Sequence, residues 1–125
     1  MRIYAGWIIA VLLACAPVLA QEMFPYSGAW HVAMVSKKGE HREGTVTLTD
    51  KDGSWDIEHQ VFKDPCKGMS APIVIQRATA DELVFQIVRS RSLRGCQDNV
   101  ATLKRVDDRT LQGELDDGRK LVLTR

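Results

Sequence analysis

The stretch GTVTLTDKDGSWDIEHQVF, residues 44–62, decides the fold. Val46 and Leu48 alternate with Thr45, Thr47 and Thr49. Beyond Asp50-Lys51-Asp52-Gly53, the residues Trp55, Ile57, His59 and Val61 alternate with Asp56, Glu58 and Gln60. A period of two sends successive side chains to opposite faces of a strand. An Asp-Gly pair between two such runs signals a hairpin. The stretch therefore reads as two antiparallel strands, Gly44–Thr49 and Ser54–Phe62, each with an apolar and a polar face.

The same alternation extends both ways. Before it, Ala29–Ser36 carries Trp30, Val32 and Met34 on one face, and Lys37-Lys38-Gly39-Glu40 turns the chain. After it come Pro72–Ala78, Glu82–Arg89, Asn99–Val106, Thr110–Leu115 and Arg119–Thr124. Turn chemistry lies between them at Ala80-Asp81, Asp107-Asp108 and Asp116-Asp117-Gly118. Two connections are longer: residues 63–71, with Asp64-Pro65-Cys66-Lys67-Gly68, and residues 90–98, with Cys96. Eight strands at about 12 residues per strand and turn indicate a barrel or a sandwich. No helical periodicity competes after residue 20, and residues 28–125 read as one domain behind a short lead, residues 21–27.

Residues 1–20 have a different character. Met1-Arg2 precedes an apolar run from Ile8 to Ala16, Pro17 breaks it, and Val18-Leu19-Ala20 leads into Gln21-Glu22. This charged, apolar and small-residue order is that of a secretory signal, and the run is shorter than the roughly 20 residues a bilayer span requires. The expected product is a periplasmic or secreted domain beginning at Gln21. The alternative is an outer-membrane lipoprotein. Leu12-Leu13-Ala14-Cys15 resembles the bacterial lipobox, which implies lipidation of Cys15 and residues 16–25 as a tether. Membrane attachment is expected only in that case.

Export alters two balances. The sequence has 17 Lys+Arg against 16 Asp+Glu, and loss of Arg2 leaves a formally neutral chain, which argues against a nucleic-acid partner. Loss of Cys15 leaves Cys66 and Cys96, an even pair that reads as a disulfide in an exported chain. Such a bridge selects among β topologies. In an up-and-down meander, the loops after strands three and five lie at the same end, so Cys66 and Cys96 meet without distortion. Eight strands also let the first pair with the last, removing both sheet edges. The expected fold is thus all-β, a small eight-stranded antiparallel up-and-down barrel with one disulfide; a Greek-key β-sandwich is the alternative.

Gly28-Ala29-Trp30, at the opening of the first strand, resembles the Gly-x-Trp that opens small lipocalin- and avidin-like barrels. The exported metalloprotease inhibitors of Gram-negative bacteria are similar in size, barrel fold, opening and single disulfide. The resemblance implies a non-enzymatic domain that acts on a protein partner. The chain departs from the inhibitor pattern, which places its first Cys near the second strand. Avidin-type ligand residues are not carried over, because no second motif aligns.

No catalytic signature appears. His31, His41 and His59 fall outward on the first strand, in a loop and inward on the third strand, without metal-ligand spacing. No cofactor, metal or enzymatic activity is expected. Trp30, Trp55, His59 and Phe85 are the candidate barrel interior, either as a packed core or as the lining of a small-ligand pocket. Charge separates by end. The disulfide-end loops hold Lys37, Lys38, Arg42, Lys63, Lys67, Arg89, Arg91, Arg94, Arg119 and Lys120 against Glu40, Glu43, Asp64, Asp98, Asp116 and Asp117, whereas Asp50, Asp52, Asp81, Glu82, Asp107 and Asp108 collect opposite against Lys51 and Arg109. The candidate partner-binding residues are Arg89, Arg91, Leu93, Arg94 and Lys67, in loops held by the disulfide. Arginines there suit an acidic protein surface or an anionic envelope component. The alternative functions are a small-ligand carrier and an envelope lipoprotein with a structural role. Nothing in the sequence fixes the oligomeric state.

Overall fold

A computed structural model of the chain describes Gly6, residues 24–57 and residues 65–125. The signal-like segment with Cys15, the end of the expected third strand with His59, and Lys63-Asp64 lie outside these residues.

Eight strands form a closed antiparallel barrel in sequence order. They are β1 (Gly28–Val35), β2 (His41–Leu48), β3 (Asp52–Ile57), β4 (Ala71–Ala78), β5 (Glu82–Ile87), β6 (Asn99–Asp107), β7 (Thr110–Leu115) and β8 (Lys120–Thr124). Closure comes from β1 pairing with β8, with Val32 opposite Leu123 and Met34 opposite Leu121. The meander is therefore the correct topology, and the sandwich is not formed. Cys66 and Cys96 are joined, with their Cα atoms 5.6 Å apart.

The alternation places the core where the sequence requires it. Trp30, Val32, Val46, Leu48, Trp55, Ile73, Leu83, Phe85, Leu103, Leu111 and Leu123 are all buried inside the barrel. Trp55 and Phe85 approach to 6.4 Å between ring centroids. Side chains thus fill the interior, as an eight-stranded barrel permits.

Three local expectations need correction. The β2–β3 turn is shorter than the expected Asp50-Lys51-Asp52-Gly53: it is centred on Asp50-Lys51, and β3 begins at Asp52. Thr49 closes it, its backbone N–H donating to the Asp52 carbonyl at 2.8 Å and its hydroxyl to the Asp52 carboxylate at 2.7 Å. Gly53 instead lies in β3, where a Cβ would overlap the Thr47 carbonyl. Its glycine allows close strand approach. Second, β2 starts at His41, so this histidine is in a strand rather than a loop. Third, β5 stops at Ile87, and the connection after it contains one helical turn, α1 (Arg89–Ser92). Asp98 holds that turn by accepting hydrogen bonds from the Ser90 backbone N–H (2.9 Å) and hydroxyl (3.0 Å). Four residues are too few to leave a helical period in the sequence.

One end of the barrel is closed by the segment before β1. Tyr26 is buried, its hydroxyl donates to the Thr79 carbonyl, and its ring meets Phe24 edge-on at 5.5 Å. Trp30 Nε1 donates to the Tyr26 carbonyl at 2.9 Å. The Arg125 guanidinium lies 4.2 Å from the Trp30 ring centroid. It also donates to the Pro25, Ser27 and Asp108 carbonyls. The packed domain therefore begins before Gly28, and chain start and chain end are clamped over the same tryptophan.

Candidate functional site

The opposite end is open. There the inward columns of six strands run past their last apolar residue into polar side chains. Following Met34, Phe85-Ile87 and Leu115 toward that end gives Ser36, Arg89 and Asp117. Tracing back from Val46, Ala101 and Leu121 gives Arg42, Asn99 and Arg119. A polar layer thus caps the apolar core, with three guanidiniums in it.

Beneath this layer is a cavity of about 100 Å³, with Met34 and Ile57 among its lining and Arg42, Lys67, Arg89 and Arg119 around it. It opens into a wider mouth of about 850 Å³ that also takes in Lys37, Lys38, Cys66, Gln97, Asn99 and Asp117. Among the described residues lining both spaces, six are cationic and two, Glu40 and Asp117, are carboxylates. The mouth therefore carries excess positive charge on a molecule with nearly balanced totals.

The layer is ordered by hydrogen bonds. Asn99 Oδ1 accepts from Arg89 Nη1 and from Arg119 Nη2, and its Nδ2 donates to Asp116 at 2.9 Å. Arg119 pairs with Asp117, Nε to Oδ2 at 2.8 Å and backbone N–H to Oδ1 at 3.1 Å. Arg42 lies 3.6 Å from the Glu40 carboxylate. Burial, and then the nearby Arg119 charge, pull the Arg89 guanidinium below its ordinary pKa; Asp117, Asp116 and Asp98 oppose this. Partial burial acts to raise the Asp117 carboxyl. The hydrogen bonds and charge of Arg119, with a contribution from Arg89, outweigh it and hold that carboxyl below the usual carboxylate range.

Arg89 is the main correction to the expected site. It is only 7% exposed, so it belongs to the floor of the mouth and not to an outward-facing loop. Lys67 does line the mouth. Arg91, Leu93 and Arg94 are exposed on the rim, outside the cavity lining. Ser92 donates to the Ser70 carbonyl at 2.7 Å, joining α1 to the start of β4. On either side of that bond in sequence, Leu93 and Met69 are large hydrophobic residues left exposed. The expected interior residues Trp30, Trp55 and Phe85 are core. Among the described residues, no cluster of three or more His, Cys, Asp or Glu is placed to hold a metal.

No protein family and no curated protein matches the chain. The likeness found is to redesigned β-barrels. One aligns with a TM-score of 0.50 at 18% identity, covering 81% of this chain and 91% of its own. Another, mFAP1 bound to DFHBI, aligns with a TM-score of 0.48 at 16% identity, covering 81% and 95%. The first supports the small eight-stranded barrel fold and carries nothing about function.

Proposed function

We propose that this domain is an exported, non-enzymatic binding module that holds an acidic segment of a protein partner at its disulfide-end mouth, as an inhibitor or other interaction factor. The observation that carries this reading is the mouth itself: Arg42, Arg89 and Arg119 in inward positions, and Lys37, Lys38 and Lys67 around them. Exposed Leu93 and Met69 supply apolar contacts beside the charge, the combination that protein interfaces use. The filled interior favours this surface over a ligand carried inside the barrel. The signal-like residues 1–20 and a disulfide, the latter characteristic of oxidising compartments, support export.

The test is fluorescence anisotropy with a labelled glutamate-rich peptide and its glutamine counterpart. The acidic peptide is expected to bind, and to weaken as salt rises, because exposed charges are screened beyond about 10 Å at 0.1 M ionic strength. The double variant Lys37→Glu/Lys38→Glu should weaken binding by about 10-fold or more at low salt, chiefly through association rate. Arg91→Ala/Arg94→Ala should lower it by a smaller factor. Equal binding of both peptides, or no effect of these variants, contradicts the reading. Preferential capture of anionic vesicles would point to an envelope component instead.

A further inference from the structure

We infer that the cavity beneath Arg89 is a carboxylate site, which takes the carboxyl group and short carbon stem of one glutamate side chain from the docked segment. The inference rests on the proposed docking of an acidic segment and names the chemistry at its deepest point.

Three observations lead to it. First, Arg89 is a buried cation with hydrogen-bonding capacity left over. Nη1 is bound by Asn99, but neither Nε nor Nη2 has an acceptor among the described residues. None of the described ion pairs includes Arg89. No described buried side-chain nitrogen is shut off from solvent without a partner. The unused donors of Arg89 therefore reach solvent, and Arg89 lines both the cavity and the mouth above it. Asp117, Asp116 and Asp98 act on this charge only from a distance; a buried charge without a direct ion-pair partner is costly, and an incoming carboxylate supplies one. Nε and Nη2 lie on one edge of the guanidinium fork, the edge that binds a carboxylate through two parallel hydrogen bonds.

Second, the cavity is the right size and polarity. Its volume of about 100 Å³ holds roughly three waters, or one carboxyl on a short aliphatic stem. Met34 and Ile57, the last apolar inward residues of β1 and β3, line it. They suit carbon rather than a second charged group, which favours a carboxylate with a stem over a bare phosphate.

Third, the surrounding charge admits an anion from outside. Lys67 and Arg42 line the cavity, and the partner carboxylates of the layer are already engaged: Asp117 by Arg119, and Asp116 by Asn99. Asp98 is occupied by the first turn of α1. Among the described residues, Glu40 is the carboxylate in the cavity lining; it lies 3.6 Å from Arg42 and forms no ion pair with Arg89.

The experiment is a methyl NMR titration of the oxidised domain with sodium butyrate, butyramide and inorganic phosphate, repeated on Arg89→Met. Butyrate should shift the Met34 ε-methyl and the Ile57 δ1-methyl saturably. Butyramide, equal in shape but neutral, should bind about 10-fold more weakly or not at all, as should Arg89→Met. If Arg89→Met fails to fold, the butyrate and butyramide comparison on the natural chain decides alone. Equal responses to butyrate and butyramide, phosphate shifting these methyls as strongly as butyrate, or no saturable shift would overturn the assignment. The acidic peptide separates this claim from the docking it rests on. Peptide affinity unchanged in a folded Arg89→Met would overturn the cavity's role and leave rim docking standing. Butyrate bound as expected with no peptide binding would confirm the carboxylate site and remove the docking reading.

Discussion

Trp30→Ala is expected to destabilise the domain by about 3–5 kcal/mol, the range for deleting a large buried aromatic side chain. Trp30 is 1% exposed and lies between the barrel interior and the plug formed by residues 24–27. Its removal costs transfer free energy and leaves a cavity that the strands on both sides are too constrained to close. Two further losses accompany it. The Tyr26 carbonyl loses the indole N–H donor, and Arg125 loses the ring over which it sits. The latter contact is worth about 0.5–1 kcal/mol where solvent reaches the cation. Small domains have about 5–15 kcal/mol in total, so the variant should stand near its unfolding threshold. Trp30→Phe keeps an aromatic ring under Arg125 and should cost clearly less. Urea unfolding followed by far-ultraviolet circular dichroism measures both. A cost below about 1 kcal/mol for Trp30→Ala would mean that the closed end does not hold the barrel together.

The second large effect is removal of the disulfide. Cys66 and Cys96 are separated by 30 positions, and a loop of that size restricts the unfolded chain by about 3–4 kcal/mol on the loop-entropy model. The double variant Cys66→Ser/Cys96→Ser should therefore melt roughly 12–30 °C lower than the oxidised chain. The double substitution avoids a single unpaired thiol, which would add intermolecular exchange. Thermal melts of the natural domain with and without a reducing agent provide the matching comparison. A shift of less than about 4 °C in both would show that the bridge adds little to folding. The bridge also ties the loop bearing Lys67 to the connection bearing Leu93 and Arg94, so two parts of the proposed surface are held by one covalent link.

The fold was largely legible because an antiparallel barrel records itself in every strand. Val46 and Leu48 alternate cleanly with Thr45, Thr47 and Thr49, and the two cysteines restrict how the strands connect. The turn at Thr49–Asp52 was extended too far because Asp52-Gly53 carries the composition of a turn. Its glycine serves strand contact instead, a distinction visible only when the Thr47 carbonyl is in place. The helical turn at Arg89–Ser92 left no periodic trace, since a carboxylate eight residues downstream from Ser90 stabilises it.

The site was legible only in part. Sequence reasoning found the basic end and the rim residues Arg91, Leu93 and Arg94, but grouped Arg89 with them in one binding loop. Its place in the inward column after Leu83, Phe85 and Ile87 was the available signal. Extension by two positions likewise yields Asn99, Asp117 and Arg119, and by four, past Gly44 from Val46, Arg42; these count as polar surface residues if each strand is considered alone. Their convergence depends on ring closure through the β1–β8 pairing, a long-range fact that no single segment contains. The involvement of Tyr26 and Arg125 at the other end was hidden for the same reason: the segments that meet there are about a hundred residues apart.

The most direct test of a partner surface at the disulfide end is paramagnetic broadening by a glutamate-rich peptide carrying a nitroxide label. If the mouth is the binding surface, methyl signals of Met34, Ile57, Met69 and Leu93 broaden on adding the peptide, while Val106, toward the closed end, does not. Broadening centred on Val106, or spread evenly over the barrel, would contradict the account.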